Sequence, residues 1–492
     1  MFAKLRQKLK DYDYIILTGC TVGCAVINFF YNFIIKRYVD VYFLGVYSTC
    51  SLAITYASYL QLGVLNSYSR DYPIMLGANE HEKGKALKQS TFSFLIIIYS
   101  FVMIVSLASM LILYINGTLS HEYVMGFGVN GVLSFLNILY NFTSSTHRVE
   151  GKIPYSSLVY TVKTLVCVVV GLVVTVVVYK TVNPDLSYIG LYAGFVVSGI
   201  IGLIMCKDVY RGLKIKVEMP VIFSSIKSGF PLLINSFISS VMMSVDKFVI
   251  LFTMGDEKTV QIKQGYYAVG LMGFTTLVLV PQTCAQVFYV RISKVYGKTK
   301  SIPDLLASAR NFSRYLSAFT SIGVVGVYYL LPIFISYIIP DYIPSIPSAQ
   351  ILTIGVALYG ATMIYGDVFS VLKLNKKLLF NTTVLCILNA VTSITMVLVL
   401  GKEIEYVALG TSISYALYSL FLLVSLKRTF KTSLLAMIKD SWLPVISTIV
   451  PCVLFSFIIE NTFAALFATC VVGGFFLIIL FRKEIKKVLF RL

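Results

Sequence analysis

"LGVYSTCSLAITYASYLQLGVLNSYSRDY" (Leu44–Tyr72) and "QGYYAVGLMGFTTLVLVPQTCAQVFYVRISKVY" (Gln264–Tyr296) decide the fold of this chain. At an offset of 220 residues Gly45 falls on Gly265 and Tyr47 on Tyr267, and Arg70 lands within one residue of Arg291. The same offset sets "KDVYRGLK" from Lys207 under "KRTFKTSL" from Lys427. Each paired stretch is an apolar run closed by a basic segment, so the chain reads as two related halves.

The surroundings of those halves follow from composition. Of 492 residues 58% are hydrophobic and 13% charged, against about 25% charged in soluble domains; the mean hydropathy is +0.84. Apolar runs of about 20 residues, enough to cross a hydrocarbon core of roughly 30 Å, recur along the whole length. The longest polar connection, after Leu65, is about two dozen residues, too short to fold alone. The N-terminal apolar run is too long for a signal peptide and reads as a retained first span.

Fourteen spans are placed near residues 14–35, 41–65, 90–115, 123–143, 155–178, 188–206, 231–254, 265–290, 312–338, 348–372, 378–399, 404–425, 442–459 and 462–481. With the N-terminus inside, 33 of the 41 Lys and Arg fall on the cytoplasmic side and six outside, and Lys163 and Lys247 lie within spans. One miscounted span would put every later loop on the wrong side and erase that asymmetry. Both termini are therefore expected in the cytoplasm. Positive-inside bias also accounts for the net charge of +19, so no nucleic-acid partner is implied.

The predicted fold is an all-α polytopic membrane protein of about 14 transmembrane helices: a six-helix lobe (1–215), a second six-helix lobe (216–435), and two additional helices with a basic tail (436–492). Six spans separate the repeats, an even number, so both halves enter the membrane in the same sense. Parallel repeats of this kind relate by an axis along the membrane normal and characteristically work by alternating access. The architecture points to a transporter.

Only two of the 22 carboxylates, Asp246 and Asp367, sit inside spans away from their very ends. Asp246 shares a helical face with Ser239 and Asn235 at i−7 and i−11, while Lys247 continues a second stripe with Ser240 and Ser236. Intramembrane polar groups usually face a bundle interior or water, and a carboxylate there is costly unless hydrated, protonated or paired. Two readings stand for Asp246: a protonatable or cation-binding residue that couples transport, or a structural acid near an outer gate with Lys247 snorkelling outward. Asp367, near the inner end of span 10, is read as a partner for Lys373. The first half mirrors the stripe without charge, through Thr21, Cys24, Asn28 and Asn32.

A second constellation is cationic. Arg70, His147, Arg148, Lys163, Arg291 and Arg314 lie toward the inner mouth, where a phosphate or pyrophosphate head group would need such donors. Positive-inside bias by itself also places cations there. The nine cysteines fall in or beside apolar runs, and Cys20 and Cys24, one turn apart, have no His or carboxylate with them, so no metal site or disulfide framework is predicted. "YGKTK" at Tyr296 is no nucleotide loop, because Ile292 occupies the leading glycine position.

From Lys227 to Gly297, "IKSGFPLLINSFISSVMMSVDKFVILFTMG" and the following "YYAVGLMGFTTLVLVPQTCAQVFYVRISKVYG" resemble the Wzx-type polysaccharide-biosynthesis flippases, in the MOP superfamily that also holds MATE drug exporters and MurJ lipid flippases. "GFP" precedes span 7 and "DKF" sits late in it. The resemblance implies translocation of an undecaprenyl-pyrophosphate-linked oligosaccharide repeat unit from the cytoplasmic to the periplasmic leaflet of a bacterial inner membrane, for O-antigen, capsule or exopolysaccharide. It implies no cofactor, H+ or Na+ as candidate coupling ions, membrane lipid and the lipid-linked oligosaccharide as partners, and polymerase and chain-length proteins in the same pathway.

By the same resemblance Lys163, Arg70, Arg291, Arg314, His147, Arg148, Asn28, Asn32 and Asn235 become substrate-binding candidates, and Asp246, Lys247 and Asp367 coupling or gate candidates. MurJ-like proteins carry arginines in the first span, where this chain has Thr21, Asn28 and Asn32, which counts against a peptidoglycan precursor. The competing readings are a MATE-like ion-coupled exporter and, from another class, a membrane-embedded polymerase or ligase. The latter is disfavoured because no external connection groups Arg, His and carboxylate.

Overall fold

A computed structural model describes residues 19–21, 23–117, 120–372 and 374–482, apart from several side chains between residues 279 and 297 and that of Asn375. All regular structure among these residues is helical. The helices are α1 (Gly19–Lys36), α2 (Val41–Ala57), α3 (Val64–Gly77), α4 (His81–Asn116), α5 (His121–Val149), α6 (Ile153–Thr181), α7 (Ile189–Met205), a single turn α8 (Lys207–Tyr210), α9 (Met219–Thr253), α10 (Glu257–Thr299), α11 (Ile302–Ile338), α12 (Ile346–Val371), α13 (Asn375–Leu400), α14 (Ile404–Phe430), α15 (Leu434–Ile458) and α16 (Thr462–Leu480). Each of the fourteen predicted spans has its helix. Twelve candidate spans among the described residues meet both the length and the hydropathy needed to cross a membrane; the other two predicted spans correspond to α2 and α10.

Several helices outrun their apolar stretches at what the charge pattern reads as the cytoplasmic end. α9 begins twelve residues before the predicted span, α11 ten, and α4 nine. At 1.5 Å per residue that is roughly 14–18 Å of helix beyond the hydrocarbon. Once nucleated, a helix extends at little cost, and in α9 even Pro231, where the predicted span begins, does not interrupt it.

The second predicted span does break. α2 ends at Ala57, a 3-10 turn covers Ser58–Gln61, and Leu62 and Gly63 are both left-handed (φ 52° and 85°) before α3 begins. The polar stretch read as a connection is thus largely a helix. Two polar groups hold the elbow: Tyr99 OH donates to the Ala57 carbonyl at 2.8 Å, and Gln61 Oε1 accepts from Leu65 N–H at 2.8 Å. Gly63 is required twice over, by its φ and because a Cβ there would meet the Gly229 carbonyl carbon at 2.5 Å.

Contacts divide the chain into two compact units, Met1–Ser240 and Val241–Leu492, with the boundary inside α9. In the first unit α4 packs on α5, α6 on α7, and α2 and α7 also on α5. Tyr68, Leu95, Tyr99 and Phe142 are fully buried in one of its cores. In the second, α12 lies between α10, α11 and α14; α13 packs on α14, and α15 joins α11 to α16. Its core is continuous from Met242 on α9 to Ala465 on α16. The two terminal helices are therefore packed parts of the second unit.

Candidate functional site

Asp246 lies seven residues before the end of α9, about 10 Å along the helix. It is only 5% exposed and faces the second unit's own core. Oδ2 accepts from Tyr267 OH at 2.6 Å; Oδ1 accepts from Thr411 Oγ1 at 2.7 Å and from Asn389 Nδ2 at 3.1 Å. Four helices, α9, α10, α13 and α14, thus meet at one carboxylate. The meeting depends on Gly410: a Cβ there would stand 2.4 Å from Ser393 Cα, so the missing side chain lets α14 lie directly on α13. Thr392 Oγ1 donating to the Gly410 carbonyl at 2.7 Å fixes that register. One turn beyond Thr411, Tyr415 stacks on Phe274 and Tyr359 beneath the cage.

The cage is rich in acceptors. Thr411 Oγ1 carries one proton, yet Asp246 Oδ1 (2.7 Å), Asn389 Oδ1 (3.1 Å) and the Val407 carbonyl (3.1 Å) all lie within its reach. Asn389 Oδ1 also accepts from Ser393 Oγ at 3.1 Å. One hydroxyl cannot donate to three acceptors at once, so oxygen lone pairs outnumber the donor protons around this carboxyl group. Chemically this suits a proton or a small hard cation, which takes oxygen ligands. Among the described residues no three His, Cys, Asp or Glu converge as a metal site.

The other coupling candidates lie elsewhere. The Lys247 carbonyl accepts from Gln264 Nε2 at 2.7 Å, which ties α9 to α10 one residue from Asp246. Asp367 is half-buried on α12, and Lys373, its expected partner, lies outside the described residues.

The described cationic candidates each engage partners within their own unit. Arg70 donates through Nε to Asp71 Oδ1 at 2.6 Å and through Nη2 to Asp71 Oδ2 at 2.9 Å; Ser67 and Ser228 add hydroxyl bonds to the same carboxylate. The Arg70 hydrogen bond holds the Asp71 carboxyl below the usual carboxylate range. His147 is fully buried and bonds Asp208 through Nε2 at 3.0 Å, and Lys152 reaches the same carboxylate at 2.7 Å. Lys163 turns into the first unit, 4.1 Å above the Tyr140 ring and 3.3 Å from Asn137 Oδ1. Arg314 donates to the Leu480 carbonyl at 2.7 Å and covers the Phe481 ring, closing the end of α16.

Arg148 is exposed and donates through Nε to the Ser144 carbonyl of its own helix at 3.3 Å. The Arg291 side chain lies outside the described residues. Asn32 Nδ2 donates to the Asn28 carbonyl at 2.8 Å, and Asn235 Oδ1 is buried without a partner. Sequence reading missed Tyr267, Asn389 and Thr411 as the partners of Asp246. The Tyr47–Tyr267 pairing and the i, i+4 spacing of Asn389 and Ser393 on an apolar helix were the available signals.

No protein-family model and no curated relative matches the chain. Solved structures do. It is similar to lipid II flippase MurJ in an inward closed conformation, with 18% identity, TM-score 0.71, and 96% of this chain and 100% of that one covered. It is also similar to an inward-facing multidrug resistance MATE family transporter, with 15% identity, TM-score 0.63 and 82% and 95% covered. A MOP superfamily transporter from Pyrococcus furiosus follows, with 14% identity, TM-score 0.59 and 86% and 96% covered. The chain therefore has the fold that MurJ and MATE transporters share.

Proposed function

We propose that this chain is a flippase of the MOP type that carries an undecaprenyl-pyrophosphate-linked oligosaccharide repeat unit to the outer leaflet of a bacterial inner membrane by alternating access. The observation that carries the reading is the likeness to a lipid flippase over 96% of the chain; the Wzx-like sequence around span 7 selects the oligosaccharide class. Arg291, together with the exposed Arg148 and the half-exposed Arg70, is assigned to the pyrophosphate, because a guanidinium grips phosphate oxygens in pairs. Lys163, His147 and Arg314, each engaged within its own unit, hold the helices that carry that surface. Asn28, Asn32 and Asn235 are assigned to sugar hydroxyls.

Asp246 is the coupling residue in this reading. Its acceptor-rich cage holds one positive charge, H+ or Na+, and loading or emptying it changes how tightly α9 is bound to α10, α13 and α14. Lys247 and Asp367 modulate that exchange from either end.

The test is a deletion strain of the native host in which surface polysaccharide and the leaflet position of lipid-linked units are measured. Units made but held on the cytoplasmic side support the flippase. Unchanged polysaccharide with increased drug sensitivity would favour the second reading, a MATE-like exporter, whose fold the chain also shares. Units that cross while polymer is missing would point instead to a polymerase or ligase.

A further inference from the structure

Within the second unit a cavity of about 580 Å³ opens where the start of α11, the end of α14 and the start of α15 come together over α12. Leu306, Ala307, Phe430 and Met437 make it apolar inside, and Arg310, Lys431 and Ser433 line it with polar groups. Its size is in the range of small-molecule sites.

Three independent features give this cavity a preference for an anion. Arg310 donates through Nε to Asp440, but its side chain stays 46% exposed, so the rest of the guanidinium fork remains accessible. Lys431 is the exposed left-handed cap of α14 (φ 54°), held at the rim by the turn itself. α15 begins here, so its first-turn N–H groups add a positive dipole end; Ser433 Oγ engages the Ala436 N–H at 3.4 Å. Farther in, Tyr365 also lines the cavity and is 1% exposed, with its hydroxyl lacking a hydrogen bond of good geometry. Ser313, the polar side chain beside it, donates its own proton to the Ala361 carbonyl at 2.8 Å and keeps lone pairs toward the Tyr365 hydroxyl, which can turn its proton to Ser313 or to a ligand oxygen.

An apolar interior with a cationic rim, on the side where the charge count places the cytoplasm, matches one amphiphile. We infer that this cavity is a binding site for an anionic phospholipid of the inner leaflet. The phosphodiester sits on Arg310, Lys431 and the start of α15; the glycerol backbone and the first methylenes lie over Leu306, Phe430 and Met437, at head-group level just beyond the hydrocarbon; and an ester oxygen bonds the Tyr365 hydroxyl. Basic recesses between spans on the cytoplasmic side are a recognised way of holding such head groups. The ligand is membrane lipid, separate from the transported unit, so the site does not depend on which substrate is carried.

The full chain is reconstituted in nanodiscs with a photoactivatable phosphatidylglycerol or, at the same mole fraction, the matching phosphatidylethanolamine, and adducts are mapped by peptide mass spectrometry. The expected result is phosphatidylglycerol labelling concentrated at residues 302–310 and 429–437. At roughly five-fold in partitioning per basic residue, R310Q with K431Q lowers it roughly twenty-five-fold. Ala307→Trp, which fills the cavity without changing charge, abolishes the labelling while melting temperature and monodispersity confirm folding. Equal labelling by both lipids, adducts spread over the membrane surface, or labelling that survives Ala307→Trp overturns the assignment. Displacement by millimolar glycerol phosphate alone would also overturn it, since it would make the site one for a free phosphate.

Discussion

Replacing Asp246 separates its structural role from its proposed coupling role, because Ala and Asn fail differently in the same cage. In Asp246→Ala the hydroxyl of Tyr267 and the amide of Asn389 lose their acceptor, while Thr411 can turn to the Val407 carbonyl at 3.1 Å. Two buried donors left unmade, at about 1–3 kcal/mol each, give a loss of about 2–6 kcal/mol. Asp246→Asn keeps the volume. Its Oδ1 still accepts from Thr411 and Asn389, and its amide faces the Tyr267 oxygen, which becomes an acceptor when the hydroxyl rotates. Removing a buried charge along with its need for solvation keeps the net change to about 1 kcal/mol or less. The assay pairs thermal unfolding of the purified variants at one scan rate with movement of lipid-linked oligosaccharide in proteoliposomes under imposed H+ or Na+ gradients. Asp246→Asn should melt close to wild type and lose its response to the gradient; Asp246→Ala should melt well below both. Gradient-driven movement at the wild-type rate in Asp246→Asn would refute coupling at this residue. An Asp246→Ala protein as stable as wild type would refute the cage energetics.

Two further outcomes follow from the first unit. Gly229→Ala would set a Cβ 2.0 Å from the Gly63 carbonyl oxygen, so α3 and the start of α9 must separate; overpacking of this kind typically costs about 1–3 kcal/mol, read as a lowered melting temperature and faster proteolysis after Arg70. The Arg70 hydrogen bond keeps the Asp71 carboxyl below its ordinary range, so its stabilisation is complete above the unfolded value of about 3.9 and is lost as pH falls through the lower folded value. With these side chains 46% and 24% exposed, solvent screening limits the effect to about 1 kcal/mol, and Asp71→Asn should flatten that part of the melting curve between pH 2 and 5.

How much could be read without coordinates varied with the range of the interaction. Spans were legible because each is a local sum over about 20 residues, and hydrocarbon enforces it residue by residue. The elbow at Leu62–Gly63 was not, since apolar residues continue through it and the reason for the break, the backbone of Gly229, lies 166 positions away. The same holds for the cage: Asp246 announced itself by its cost in a span, but Asn389 and Thr411 are 143 and 165 positions from it. Lys163 was readable as unusual, though its orientation depended on Tyr140 and Asn137 of the preceding helix.

The repeat sharpens what the cage means. Subtracting the 220-residue offset from Asp246, Asn389 and Thr411 gives Val26, Val169 and Leu191, all apolar, whereas Tyr267 keeps its counterpart in Tyr47. A tyrosine at this place therefore serves packing in both halves: Tyr47 lies edge-on to Tyr192, without any acid. If the carboxylate were needed only to hold a six-helix unit together, the first half would need it too, and it does without. Hydrophobic residues at the same positions satisfy the same bundle at no desolvation cost. The second half thus carries a buried carboxyl, three donors and a surplus of acceptors that stability alone does not require, which is what the coupling role proposed for Asp246 would need.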